Sequence, residues 1–176
     1  MRIIGGQWRS RIVRFPDAPS LRPTPDRLRE TLFNWLGQDL TGKVCLDLFA
    51  GSGALGFEAA SRGARQVVMV EHDVAVHRAL LATQTALSAA QIEIHRADSF
   101  GFLKMDERRY DIVFLDPPFR LGWLPRLLPL LPVRLGTEAR VYLETEGPVA
   151  MREGFEVLKQ TRAGQVHGLL IKYLQS

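Results

Sequence analysis

Two short stretches hold residue types that could do chemistry together. The run Lys43-Val44-Cys45-Leu46-Asp47-Leu48-Phe49-Ala50-Gly51-Ser52-Gly53-Ala54-Leu55-Gly56 joins an apolar strand pattern to a glycine turn and then a helix pattern. Asp116-Pro117-Pro118-Phe119 follows a second apolar run directly. In the first stretch, Gly51 and Gly53 remove Cβ where a backbone must turn sharply beside a ligand. Gly51, Gly53 and Gly56 also spell the G-x-G-x-x-G dinucleotide fingerprint, with an acid, Glu71, 20 residues beyond Gly51.

Asp47 separates the candidate ligands. A carboxylate near the strand end would repel a pyrophosphate, yet it suits a ligand carrying an ammonium and a sulfonium, such as S-adenosylmethionine. Glu71 would then accept hydrogen bonds from ribose hydroxyls. In the alternative, Asp47 caps a turn and Glu71 caps the helix that starts near Asp73. Asp98, just beyond a short strand, either accepts from the ligand's adenine amino group or caps the next helix.

The second stretch suits the other half of a group transfer. Two successive prolines donate nothing to a sheet ladder, and they make a rigid turn whose preceding carbonyls meet no nearby amide. An exocyclic amine on a purine is a poor nucleophile, because its lone pair is shared with the ring. With its two hydrogens accepted by Asp116 and the Pro117 carbonyl, the nitrogen would be held with that lone pair toward an incoming methyl. Phe119 would give the base a face to stack on. Direct displacement at a sulfonium methyl then needs no metal and no covalent enzyme intermediate. A base must leave its stack to enter, so the target is a flipped or unpaired nucleotide.

The elements that must position these residues read as a doubly wound α/β domain, whose ligand sits off the carboxyl ends of parallel strands. Strands are expected at 44–48, 66–71, 92–95, 110–116 and 139–144, with a closing antiparallel pair at 155–161 and 165–174. Helices are expected from Thr24 as N-cap with Pro25 at the first position to about Gly37, over 57–62, and from about Asp73 to Ala90. The first of these should bury Leu28, Leu32, Trp35 and Leu36, with Asn34 beside the stripe. Pro125, Pro129 and Pro132 must break any helix across 122–133. At the front, Arg2-Ile3-Ile4-Gly5-Gly6 and Arg11-Ile12-Val13-Arg14-Phe15 read as a small hairpin with Gly5-Gly6 near its turn, apolar side chains on the body and arginines outward. Trp8 would pack, or stack on a base.

Charge narrows the partner. The chain has 176 residues and a net charge of +4, and its first 30 residues, with seven arginines against Asp17, Asp26 and Glu30, carry all of it. An arginine-rich front end on a neutral body suggests a polyanion, with Arg2, Arg9, Arg11, Arg22 and Arg27 as the candidate phosphate contacts. A solvated basic face is the alternative. The length fits a single domain over residues 1–176, with residues 1–40 as an arginine-rich hairpin-and-helix extension. No apolar run reaches a membrane span and no signal-peptide pattern is present, so a cytoplasmic location is expected. Cys45, the only cysteine, falls in a strand, which excludes an intrachain disulfide and a cysteine metal cluster.

The stretch from Asp47 to Gly56, with Asp116-Pro117-Pro118-Phe119, Arg2-Ile3-Ile4-Gly5-Gly6, Leu21-Arg22-Pro23-Thr24 and the run from Asp26 to Trp35, resembles the RsmD family. These are bacterial S-adenosylmethionine-dependent methyltransferases for a guanine N2 in small-subunit ribosomal RNA. The resemblance implies a Rossmann-like class I methyltransferase with a mostly parallel seven-stranded sheet. It implies a cofactor site at Asp47, Phe49, Ala50, Gly51, Gly53, Glu71, Asp98 and Ser99. It implies that Asp116, Pro117 and Phe119 hold the guanine with Asn34 close by, and that the partner is ribosomal RNA within the small subunit or its assembly intermediate, with no metal. The resemblance alone supplies guanine over adenine. An adenine-N6 methyltransferase, an NAD-dependent oxidoreductase and a non-catalytic RNA-binding factor are the competing readings.

Overall fold

The apolar runs pair as strands, and the segments between them return as helices. The computed structural model describes residues 1–16, 24–118, 122–147 and 151–174; Arg22 and Phe119 lie outside these residues. In chain order the elements are α1 (Asp26–Leu36), β1 (Val44–Asp47), α2 (Ala54–Ser61), β2 (Gln66–Glu71), α3 (Val74–Ala86), β3 (Ile92–Arg96), α4 (Ser99–Met105), β4 (Tyr110–Leu115), α5 (Trp123–Leu127), β5 (Leu135–Thr145), β6 (Phe155–Ala163) and β7 (Val166–Tyr173). The strands form a seven-stranded sheet in the order β3-β2-β1-β4-β5-β7-β6. Strands β1 to β5 pair in parallel, whereas β7 runs antiparallel to both β5 and β6. The chain winds outward in opposite directions from the β1/β4 pair, which opens a crevice beyond the carboxyl ends of those two strands. Among the described residues no helix is long and apolar enough to cross a membrane.

Alternation along the strands builds two apolar layers. On one face Cys45, Met69, Phe114 and Tyr142 meet Leu32 and Phe33 of α1, Phe57 of α2 and Leu80 of α3, together with Ile3, Trp8 and Val13 of the N-terminal segment. On the other, Leu46, Val68, Val113, Leu115 and Leu143 meet Phe102 and Leu103 of α4 and Leu124 and Leu127 of α5. Burying one such side chain contributes about 2 kcal/mol relative to leaving it exposed, so both layers hold the sheet whose ends form the crevice.

The N-terminal segment forms the expected hairpin, the Ile3, Ser10 and Val13 amides donating to the Arg11, Ile3 and Met1 carbonyls. One antiparallel bridge, Arg2 with Ile12, joins its arms. The chain turns beyond the diglycine, where the Arg9 amide donates to the Gly6 carbonyl and the Arg11 amide to that of Trp8. Gly5-Gly6, at the start of the turn, also seats the segment on α2. Gly6 has a φ of 74°, and a Cβ there would stand 1.8 Å from the Ser61 carbonyl oxygen. The Ile4 and Gly5 amides each donate to the buried Glu58 carboxylate at 2.8 Å. That carboxylate also pairs with Arg62 at 2.8 Å and with Arg29 at 3.6 Å. Arg29, grouped in the sequence with the outward arginines, is thus fully buried; Trp8 packs inside and Ile12 is turned out to solvent.

Other differences are local. Helix α1 starts at Asp26 with Pro25 in the cap position and no side-chain cap, the Leu28 and Arg29 amides donating to the Pro25 carbonyl. Thr24, expected to cap this helix, turns toward the crevice instead. The buried stripe of α1 is Leu28, Arg29, Leu32 and Phe33, and Trp35 and Leu36 are only partly buried. Helix α3 stops at Ala86, short of Ala90, ahead of a left-handed Ser88 with φ 50°. Strand β5 starts earlier than residue 139, because Leu135 pairs with Tyr110 ahead of a register shift. The proline-bearing crossover is broken, α5 giving way to 3-10 turns at Leu128–Leu130 and Pro132–Arg134.

Candidate active site

The loop after β1 owes its shape to Gly53. It takes a φ of 78° as it opens α2, and a Cβ there would lie 2.5 Å from the Phe57 ring and 2.8 Å from Leu80. A side chain would therefore meet both backbone strain and a packed interior. The loop is tied to both neighbouring strand ends. The Gly51 amide donates to Glu71 Oε2 at 3.0 Å, and the Gly56 amide to Asp47 Oδ2 at 2.9 Å.

Both acids hold local backbone, as the capping reading expected. Asp47 and Glu71 each accept from backbone, Glu71 also from the Asp73 amide at 2.8 Å. Asp73 is the side-chain cap of α3. Yet both acids also line the crevice, a cavity of about 320 Å³. Asp47 is buried, and loss of water pushes its pKa up to about 7, with the Gly56 amide opposing the shift and the charges of Glu71 and Glu144 adding to it. Phe49, Ala50 and Gly51 line the same cavity. Ser99 does so too, while its hydroxyl donates to the Leu48 carbonyl at 3.0 Å. Gly53 acts from behind the wall.

Asp98 takes the other of its two readings. It caps α4, accepting from the Phe100 and Gly101 amides, and is exposed outside the lining of the cavity. Asn34 is not brought to the cavity either: it is exposed on α1 and accepts from Gln38 Nε2 at 2.5 Å. Helical spacing alone could not say which flank of the stripe faced the crevice.

The opposite wall is the turn after β4. Asp116, Pro117 and Pro118 line the cavity, with Pro117 buried and Asp116 half-buried. The Thr24 hydroxyl lies 3.5 Å from Asp116 Oδ2. Beside it lies Glu144, which sequence reasoning left as the end of a strand. Its carboxyl is buried, accepts from the Tyr142 hydroxyl at 3.1 Å and is hydrogen-bonded to Thr24. Loss of water pushes its pKa up to about 7, with Thr24 and Tyr142 opposing the shift. An acid at the carboxyl end of an interior strand was the signal that could have found it. Of the arginines proposed to meet phosphate, Arg2, Arg9, Arg11 and Arg27 are exposed.

The crevice therefore has an acidic wall fit for a cationic ligand with ribose hydroxyls. Facing it is a proline turn with a carboxylate fit for an amino group.

Comparison with known proteins gives the family. Residues 1–172 match the family described as Conserved hypothetical protein 95. Ribosomal RNA small subunit methyltransferase D of Escherichia coli K12 is 43% identical over 171 residues, covering 94% of this chain and 86% of that protein. The protein of the same name from Haemophilus influenzae is 41% identical over 174 residues, covering 94% and 90%. Among solved structures, a methyltransferase from Escherichia coli, titled yhhF, superposes with a TM-score of 0.89 at 41% identity, covering 100% of this chain and 99% of its own.

Proposed function

The chain belongs to the Conserved hypothetical protein 95 family, to which its RsmD-like motifs point, and from that premise we propose that it methylates the exocyclic N2 of a guanine in small-subunit ribosomal RNA. The observation that carries this reading is that Asp47, Glu71 and the Asp116-Pro117 turn line one cavity. S-adenosylmethionine fits the acidic wall, with Asp47 toward its ammonium and Glu71 accepting from its ribose hydroxyls. Bound there, it supplies an electrophilic methyl whose bonding pair leaves with sulfur as a neutral thioether.

The chain's own residues supply position and proton acceptance. Asp116 and the Pro117 carbonyl accept the two amino hydrogens of the guanine, which fixes the nitrogen for in-line attack. As the N–C bond forms, the nitrogen gives up one proton, and Asp116 is the acceptor. Phe119 is the proposed stacking face, and the exposed Arg2, Arg9, Arg11 and Arg27, with Arg22, grip the surrounding backbone. Residues 1–40 then serve as the RNA-facing extension of a single catalytic domain working in the cytoplasm, where the particle is assembled.

Small-subunit particles from cells lacking the gene, incubated with labelled cofactor and digested to nucleosides, test this directly. N2-methylguanosine as the labelled product is expected. N6-methyladenosine as the sole product, or no transfer, would reject the reading.

A further inference from the structure

Glu144 is buried in the cavity wall, on the strand next to the proline turn, and no step above uses it. The β4/β5 register pairs Phe114 with Tyr142 and Leu115 with Leu143. The ladder ends at Leu115, and one rung further the same register brings Asp116 to the side of Glu144, neighbouring strands being about 4.8 Å apart. Both residues continue the face that carries Phe114 and Tyr142, the face covered by α1, whose N-terminal side is led by Thr24 and Pro25 in a segment described from Thr24 on. Thr24, in that segment, hydrogen-bonds Glu144 and lies 3.5 Å from Asp116 Oδ2.

The carboxyl is also held from below. The Tyr142 hydroxyl donates to Glu144 Oε1 at 3.1 Å. It has room to do so because the β7 residue paired with Glu144 is Gly168, where a Cβ would stand 2.8 Å from the Tyr142 oxygen. A carboxylate has about four acceptor positions, and Tyr142 and Thr24 occupy two of them. The remainder face a cavity whose other contents, on the reading above, include a purine amine.

A guanine carries two donors side by side on that edge, the N2 amine and the ring N1–H. An adenine held by its amine at the same turn puts a bare ring nitrogen, an acceptor, beside it. We propose that Glu144 accepts the N1–H of the guanine whose N2 is held at Asp116 and Pro117, so that two neighbouring strand ends select guanine together. This inference rests on the methyltransferase reading and deepens it. A base lacking that proton leaves Glu144 facing a lone pair, a mismatch that a built hydrogen-bonding site rejects strongly.

The test uses reassembled small-subunit particles with either guanine or 2-aminopurine at the position the wild-type protein modifies. 2-Aminopurine keeps the amine at C2 but has no proton on N1. Wild-type protein should transfer to guanine at least about tenfold faster. In Glu144→Gln, the Tyr142 hydroxyl retains the amide oxygen, which turns the NH2 toward the purine. The guanine rate should fall about ten- to hundredfold while the 2-aminopurine rate holds or rises. S-adenosylhomocysteine affinity by calorimetry should stay unchanged.

Equal losses on both bases, an unchanged guanine rate, or a wild-type protein indifferent between the bases would overturn the inference. Absence of wild-type transfer to guanine particles would instead overturn the methyltransferase reading itself. Should Glu144→Gln fail to fold, Glu144→Asp keeps the charge, shortens the reach and must narrow the same ratio.

Discussion

Burial holds the Asp47 and Glu144 carboxyls at pKa values of about 7. Their unfolded values are ordinary, near 4, so between about pH 4 and pH 7 the folded chain binds more protons than the unfolded one. As far as these groups are concerned, stability of the ligand-free protein should therefore be highest below about pH 4. It should fall as pH rises through that window and level off above 7. For Asp47 the full swing is on the order of 4 kcal/mol. Urea unfolding across pH 4.5 to 8 measures it. Asp47→Asn should flatten the slope, and an unaltered slope in that variant would show that the carboxyl is not destabilised by burial. Much of this site was legible in single residues: an acid at the end of an apolar run, glycines that turn, and a diproline that donates nothing. Glu144 was not, because its role depends on β5 lying beside β4, a non-local fact. Asn34 failed for the converse reason, since its neighbours on a helix do not fix which way the helix faces.

At the scale of elements, the strands were read from their runs of Val, Ile, Leu and Phe, and β2 falls on the expected residues. The N-terminal hairpin was legible too, but the seat of its glycines on α2 was not, because that contact joins residues more than 50 apart in sequence. Glu58 joins that segment to α1 and α2 through the Ile4 and Gly5 amides, Arg29 and Arg62. Glu58→Gln leaves two buried guanidiniums without their shared carboxylate, a loss of about 3 to 5 kcal/mol by denaturant unfolding. The Ile4 and Gly5 amides should exchange with solvent faster than in wild type. Unchanged stability with unchanged exchange would mean that the network does not anchor the segment.

At the scale of the molecule, all of the net charge of +4 belongs to the first 30 residues. With Arg29 drawn inside, Arg2, Arg9, Arg11, Arg14 and Arg27 remain outward among the described residues. Each arginine that meets a phosphate steepens the salt dependence of binding by about 0.7 to 0.9 in log affinity against log salt. Arg9→Ala with Arg11→Ala should shallow the slope for small-subunit RNA by roughly 1.5, with methyl transfer slowed mainly through KM. An identical slope would remove these two from the RNA face. Methyl transfer requires donor and acceptor to meet where β1 and β4 part. A crystal structure with S-adenosylhomocysteine tests this most directly: its sulfur should lie in the crevice between Asp47 and the Asp116-Pro117 turn, with its ribose hydroxyls on Glu71. A ligand seated outside that crevice, or with its sulfur turned away from the proline turn, would contradict it.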